Sequence, residues 1–139
     1  MRRDHEAGLS PSGGFDPASV RKHFDRPEVA AVYLFGSVAE ASSHALSDVD
    51  LAYLGVSGES EERVFDELCE ALQRELGEGS FDLVPLRRAP LHLQFEIATT
   101  GKRLFVRDPI LAEEFGTRAI TRYLDFKPYR DEYFAVRDR

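Results

Sequence analysis

The stretch VAAVYLFG, residues 29–36, is apolar throughout and rich in β-forming side chains. A strand with one wet face alternates apolar with polar residues, so an unbroken run is the signature of a strand covered on both faces. The rest of the chain is thereby constrained to supply that cover. The run SDVDLAYLG, residues 47–55, reads as a second strand, ended by Gly55 and Gly58. It differs from the first in carrying two acids, Asp48 and Asp50, in an otherwise apolar context.

Helical signals offer the cover. Between Ser60 and Leu76, the residues Val64, Phe65, Leu68, Leu72 and Leu76 recur at helical spacing. Glu61 and Glu62 stand in the first turn, where the helix dipole favours acids. Asp16 and Pro17 predict the cap and first residue of a short helix with Val20 and Phe24 on one face, stopped by Pro27. Gly77 and Gly79 turn the chain into a predicted third strand over 80–88, with Asp82 near its start. KRLFVRD, 102–108, predicts a short strand; Asp108 and Pro109 then open a helix carrying Leu111, Phe115, Ile120 and Leu124. Pro128 is expected to kink or restart that helix, leaving YRDEYFAVR as a last segment. One stretch is ambiguous. Leu91, Leu93, Phe95 and Ile97 alternate as in a strand, whereas Pro90 and the length before Gly101 suit a helix opened by proline; periodicity alone favours the strand.

Strands interleaved with helices in 139 residues, too few for a large parallel sheet, predict a small α/β or α+β domain. Its sheet core is expected from 29–36, 47–54 and 80–88. Residues 1–15 hold Gly, Ser, Pro and charge without periodicity and predict a disordered leader; a single domain is expected over 16–139, including C-terminal helices over 109–139. No apolar run approaches the ~20 residues of a membrane span, and MRRDHEAGLSPSGG lacks a secretion signal's apolar stretch. A cytoplasmic protein with no membrane partner is expected. The one cysteine, Cys69, falls in a predicted helix and reads as a small core residue.

The net charge of -7 is concentrated centrally, since residues 29–108 carry fourteen acids against seven bases while both flanks are balanced. An acidic helix face at 59–78 accounts for much of this. Such a balance argues against direct nucleic-acid binding, which favours basic patches, and is consistent with a cleft for a cation.

The acids themselves have a shared geometry. Residues i and i+2 of a strand point to one face about 6.5–7 Å apart, which puts Asp48 and Asp50 together. Buried like charges must meet a counter-charge, sit at an exposed strand end, or bind metal. Asp82, heading another predicted strand, can bring a third carboxylate to the same cleft. Oxygen ligands without nearby His or Cys suit Mg2+ rather than zinc, and carboxylates holding Mg2+ near a triphosphate are the equipment of two-metal nucleotidyl transfer. Gly36 and Ser37 complete the arrangement: glycine lets backbone approach a phosphate, and serine offers hydroxyl and amide to its oxygens. Read as structure alone, the acids would decorate a strand end and a turn, but that reading does not account for their joint spacing after Gly-Ser.

These residues resemble a known family. GSVAEASSHALSDVD is similar to the GSx10DxD signature of the DNA polymerase β-like nucleotidyltransferases, and FDLVPL resembles the strand that bears their third carboxylate. The short length, APLHLQFEIATTGKRLFVRDP and YLDFKPYRDEY resemble the minimal nucleotidyltransferases, antitoxin halves of HEPN/MNT toxin-antitoxin pairs, over roughly residues 28–135. The resemblance implies a minimal nucleotidyltransferase fold and a helix over 90–100. It implies that Gly36 and Ser37 hold nucleotide phosphates, that Asp48, Asp50 and Asp82 bind Mg2+, and that Asp82 helps activate the attacking hydroxyl. It further implies ATP as donor and transfer of AMP to a tyrosine of a HEPN RNase toxin, the partner in a hetero-oligomer.

One departure stands out. Glu40 and Ala41 occupy the place of the family's usual Arg-Gly, and Arg87 and Arg88 are candidates to replace the missing cation. Two alternatives remain open: an antitoxin that neutralises by binding without catalysis, and a small-molecule nucleotidyltransferase of the aminoglycoside-modifying type. His44 reads as exposed loop, and the aromatics Tyr123, Phe126, Tyr129, Tyr133 and Phe134 could serve a partner surface as well as the core.

Overall fold

The computed structural model describes residues 16–36, 49–77 and 79–137, with side chains through residue 127. The leader expected over 1–15 lies outside the described residues. Asp16 caps helix α1 (Pro17–Arg21) by accepting from the Ala18 amide at 3.1 Å, with proline at the first position. A 3-10 turn over Lys22–Phe24 continues it, and Val20 and Phe24 are fully buried. Strand β1 (Val29–Phe35) is buried at every position, as an unbroken apolar run requires. Strand β2 (Val49–Gly55) follows, then helix α2 (Glu61–Leu76) and strand β3 (Phe81–Pro85). The remaining elements are α3 (Leu91–Thr100), β4 (Lys102–Val106) and α4 (Pro109–Arg137).

The strands form one mixed sheet in the order β3-β2-β1-β4. β1 pairs antiparallel with β2 and with β4, while β2 and β3 run parallel. A parallel pair needs a crossover, and α2 provides it. Alternation along the strands sends side chains to two cores. Val32, Leu34, Leu51 and Tyr53 meet Val20, Phe24 and the α2 residues Val64, Leu68 and Leu72 on one face. Tyr33, Phe35, Ala52 and Leu54 meet Ile97 of α3 and Ala112, Phe115 and Ala119 of α4 on the other. The fold is therefore α+β, with helices on both faces of a mixed sheet.

Three expectations are corrected. The third strand ends at Pro85, and Leu86–Arg88 form a 3-10 turn that buries Leu86. The strand at 102–106 joins the sheet beside β1, so the sheet has four strands where the core was expected from three. Of the two outcomes expected at Pro128, the restart does not occur: α4 runs as one helix to Arg137, because a missing N–H removes one rung of a ladder whose neighbours can still close. The ambiguous stretch is the helix α3. Its alternation arises because it is covered on two sides: Ile97 faces the sheet core, while Phe95 stacks on Tyr123 of α4 with ring centroids 4.2 Å apart. A helix packed on two sides loses the single apolar stripe that marks its period.

Candidate active site

β1 ends at Phe35, and β2 begins at Val49, so the pairing of Phe35 with Asp50 sets the end of β1 against the start of β2. In the parallel pair, Asp50 stands in register with Asp82. Asp50, Ala52 and Leu54 alternate with residues of the α2-side core, which puts Asp50 on the face covered by α3 and α4; Asp82 lies on that face by the same alternation. Adjacent strands are about 4.8 Å apart, close enough for two carboxylates to share one cation. Asp50 is half-buried and Asp82 exposed, the latter on an edge strand.

Gly36 closes this end of the sheet. Its φ of 78° is in the left-handed region that side chains disfavour. A Cβ placed there would lie 2.2 Å from Asp50 Oδ2 and 3.1 Å from its Cγ. The carboxylate thus fills space that any other residue at 36 would occupy. Of the five expected site residues, Gly36, Asp50 and Asp82 are brought together at one sheet end; Ser37 and Asp48 lie outside the described residues, as do Glu40, Ala41 and His44. The contact between Gly36 and Asp50 had no signal in the sequence, because it depends on the register of an antiparallel pair closed over a long connection.

Adjacent carboxylates without sulfur or imidazole donors fit a hard cation such as Mg2+, for which Asp50 and Asp82 would supply two oxygens. Among the described residues no group of three or more His, Cys, Asp or Glu is gathered to hold a metal. A third carboxylate would have to come from outside them.

Arg87 and Arg88 are not at this site. Arg87 Nε and Nη2 donate to the carbonyls of Gly55 and Val56 at 2.9 and 3.2 Å, and Arg88 Nε pairs with Glu61 at 2.9 Å. Gly55 is five residues along β2 from Asp50, roughly 17 Å at ~3.3 Å per residue. The expectation that they replace a cation near the triphosphate is therefore corrected: β3 runs parallel to β2 with Asp82 near its start, so residues beyond its end lie at the far end of β2. A pocket of about 240 Å3 lined by Ala18, Arg21, Lys22, Asp25 and Phe105 is also remote from the acids, since Phe105 packs on the α2-side core. Its charges are partly spent in ion pairs of Arg107 with Asp25 and Lys22 with Glu75.

The sequence matches the family described as Polymerase beta, Nucleotidyltransferase over residues 20–110. It is 34% identical over 79 residues to Protein adenylyltransferase MntA of Shewanella oneidensis, an alignment covering 57% of this chain. The chain spans 55% of the length of that curated relative. A solved toxin-antitoxin structure with AMP-PNP has a chain similar at a TM-score of 0.68 and 25% identity, covering 90% of this chain and 100% of that one. A structure of tri-AMPylated Shewanella oneidensis HEPN toxin in complex with MNT antitoxin has a chain with the same fold at a TM-score of 0.62 and 23% identity, covering 88% of this chain and 96% of that one.

Proposed function

This chain belongs to the Polymerase beta, Nucleotidyltransferase family, and from that premise we propose that it is an antitoxin enzyme, transferring AMP from ATP to a tyrosine hydroxyl of a HEPN RNase toxin and so neutralising it. The observation that carries this reading is the meeting of Gly36, Asp50 and Asp82 at one end of the sheet. The curated relative is named a protein adenylyltransferase, which favours a protein acceptor over a small molecule. In this reading the single domain over 16–139 acts in the cytoplasm as part of a hetero-oligomer with its toxin. No helix among the described residues is long and apolar enough to cross a membrane.

Asp48, Asp50 and Asp82 would hold Mg2+, and Gly36 and Ser37 would take the phosphates. Bound Mg2+, two ions in this reading, supplies neutralisation of the charge that develops on the transferred group. The tyrosine oxygen forms its bond to the α-phosphorus as the bond to pyrophosphate breaks, and the hydroxyl proton passes to the Asp82 carboxylate. Asp82 suits that task because it is exposed on the edge strand β3, where a macromolecular acceptor can approach; half-buried Asp50 is held by strands on both sides. Co-expression with a candidate HEPN toxin tests this. The toxin gains mass in steps of one nucleoside monophosphate with wild type and none with Asp50→Ala or Asp48→Ala; equal gain with the variants refutes the assignment.

A second reading, neutralisation by occlusion alone, is favoured by one observation: the arginines that could stand in for the family's Arg are committed at the other end of β2. An Asp48→Ala/Asp50→Ala protein that still rescues growth from the toxin would select it.

A further inference from the structure

Among the described residues three glycines adopt positive φ: Gly36 at 78°, Gly77 at 96° and Gly79 at 83°. They differ in what a side chain would meet. At Gly79 a Cβ would find nothing within 4 Å, and at Gly77 only Ser80 Oγ at 3.3 Å. At Gly36 the three nearest atoms all belong to one side chain: Asp50 Oδ2 at 2.2 Å, Cγ at 3.1 Å and Cβ at 3.3 Å. Gly77 and Gly79 answer a backbone requirement alone, whereas Gly36 answers two. It permits the left-handed turn, and it vacates the volume that the Asp50 carboxylate fills.

Asp50 cannot yield by moving its backbone, because its strand is paired on both sides, to Phe35 in β1 and to Asp82 in β3. A methyl group at 36 would therefore turn the carboxylate out of the position it holds against Gly36. Glycine preceding a serine is ordinarily credited with close approach to phosphate. We infer instead that Gly36 is a positioning residue for Asp50, setting the orientation of a metal-binding carboxylate through the side chain it lacks. This rests on the reading of Asp50 as a metal ligand, and the test separates the two.

Mn2+ serves as the probe, its binding to the full chain followed by electron paramagnetic resonance in the absence of nucleotide, alongside thermal unfolding. Gly36→Ala weakens Mn2+ binding by about 10- to 100-fold, the range in which misdirected ligands act, while Gly79→Ala leaves it within about twofold. In unfolding, Gly36→Ala lowers the midpoint more than Gly79→Ala does, and the excess disappears when Asp50→Ala is added, since alanine at 50 removes the group that is struck. A Gly36→Ala protein too unstable for Mn2+ titration is therefore still informative: adding Asp50→Ala must change its midpoint more favourably than the same substitution changes that of wild type. If Asp50→Ala shifts the midpoint equally in the Gly36→Ala and wild-type backgrounds, or if Gly36→Ala binds Mn2+ as wild type while Asp50→Ala does not, the inference is overturned and the metal assignment stands. If Asp50→Ala binds Mn2+ as wild type, the metal assignment itself falls, and the inference with it.

Discussion

The two ends of the central sheet are built on opposite electrostatic plans. At one end Asp50 and Asp82 stand side by side in parallel register beneath Gly36. At the other, charges are matched. Arg26 donates to Glu28 at 3.0 Å and to Glu67 at 2.5 Å, and Arg63 bridges Glu28 and Glu67 at 3.3 Å. Arg87 caps two carbonyls at the exit of β2, and Arg88 pairs with the buried Glu61, whose backbone carbonyl accepts from Tyr53 at 3.2 Å. Burial pushes the Tyr53 hydroxyl far above its usual range, with Glu61 adding to the effect. The ion pairs of Arg26, Arg63 and Arg88 close one end of the fold, and the other end holds two carboxylates in register. In the proposed reading, stability and chemistry fall at opposite ends of the same strands.

The contrast can be broken by substitution. The largest expected effect is at the acidic end: if the proposed function holds, Asp50→Ala lowers adenylylation of the toxin by about 1000-fold, equivalent to about 4 kcal/mol, while the thermal midpoint falls by much less than a core truncation lowers it. Intact-mass kinetics and thermal unfolding on one preparation check both halves. A loss of stability comparable to that of a core truncation would mean that Asp50 is structural and the contrast is false.

Leu72→Ala supplies that benchmark. Leu72 is fully buried in the core beneath α2, and its truncation costs about 3 kcal/mol in denaturant unfolding. Mn2+ affinity should stay within about twofold, because Asp50 and Asp82 face the other core. Arg88→Ala comes next, at about 2 kcal/mol, because it leaves the Glu61 carboxylate buried without its cation; among the described residues Glu61 Oε2 already has no hydrogen-bond partner. Arg88→Lys should recover only part of that, since the contact is made by the guanidinium Nε.

The smallest effect is a pH dependence confined to the matched end. The Arg26 guanidinium hydrogen-bonded to Glu28 holds its carboxyl down at about 2, against an ordinary 4.5. A carboxylate depressed in the folded state adds stability above its unfolded pKa and loses it as pH falls through the folded one. Stability from this pair is therefore complete above about pH 4.5 and declines toward pH 2, by less than about 1 kcal/mol after solvent screening. Arg26→Ala flattens that part of the unfolding profile. An unchanged slope would show that the pair is not matched in solution.

Much of this was legible in the sequence, and the omissions have a common origin. The run at 29–36 announced a strand covered on both faces, and Asp16-Pro17 and Asp108-Pro109 announced helix starts, because caps and periods are local. Asp108 does cap α4, accepting from the Leu111 amide at 3.1 Å. The alternating 91–97 stretch misled by its period, since its pattern was set by two packing partners rather than one. Gln94, polar and 7% exposed, gave no sign of burial in advance; its side chain donates to the Leu86 carbonyl at 3.0 Å, a partner that exists only once the turn after β3 has formed. Tyr123, a candidate for a partner surface, stacks on Phe95 within the chain, whereas Phe126 remains exposed.

The sequence by itself determined which segments are strands or helices at most positions, and that two acids and a glycine-serine pair flank a connection between two strands. These are properties of windows a few residues wide, where backbone sterics, alternation and capping act. Only the tertiary structure decided that Asp82 stands beside Asp50, that Gly36 makes room for a carboxylate fourteen positions away, and that Arg87 and Arg88 lie at the opposite end of β2. Those outcomes depend on strand register, which is fixed by the packing of both sheet faces against helices distant in sequence, and a one-residue slip would have sent every side chain of the strand to the other face.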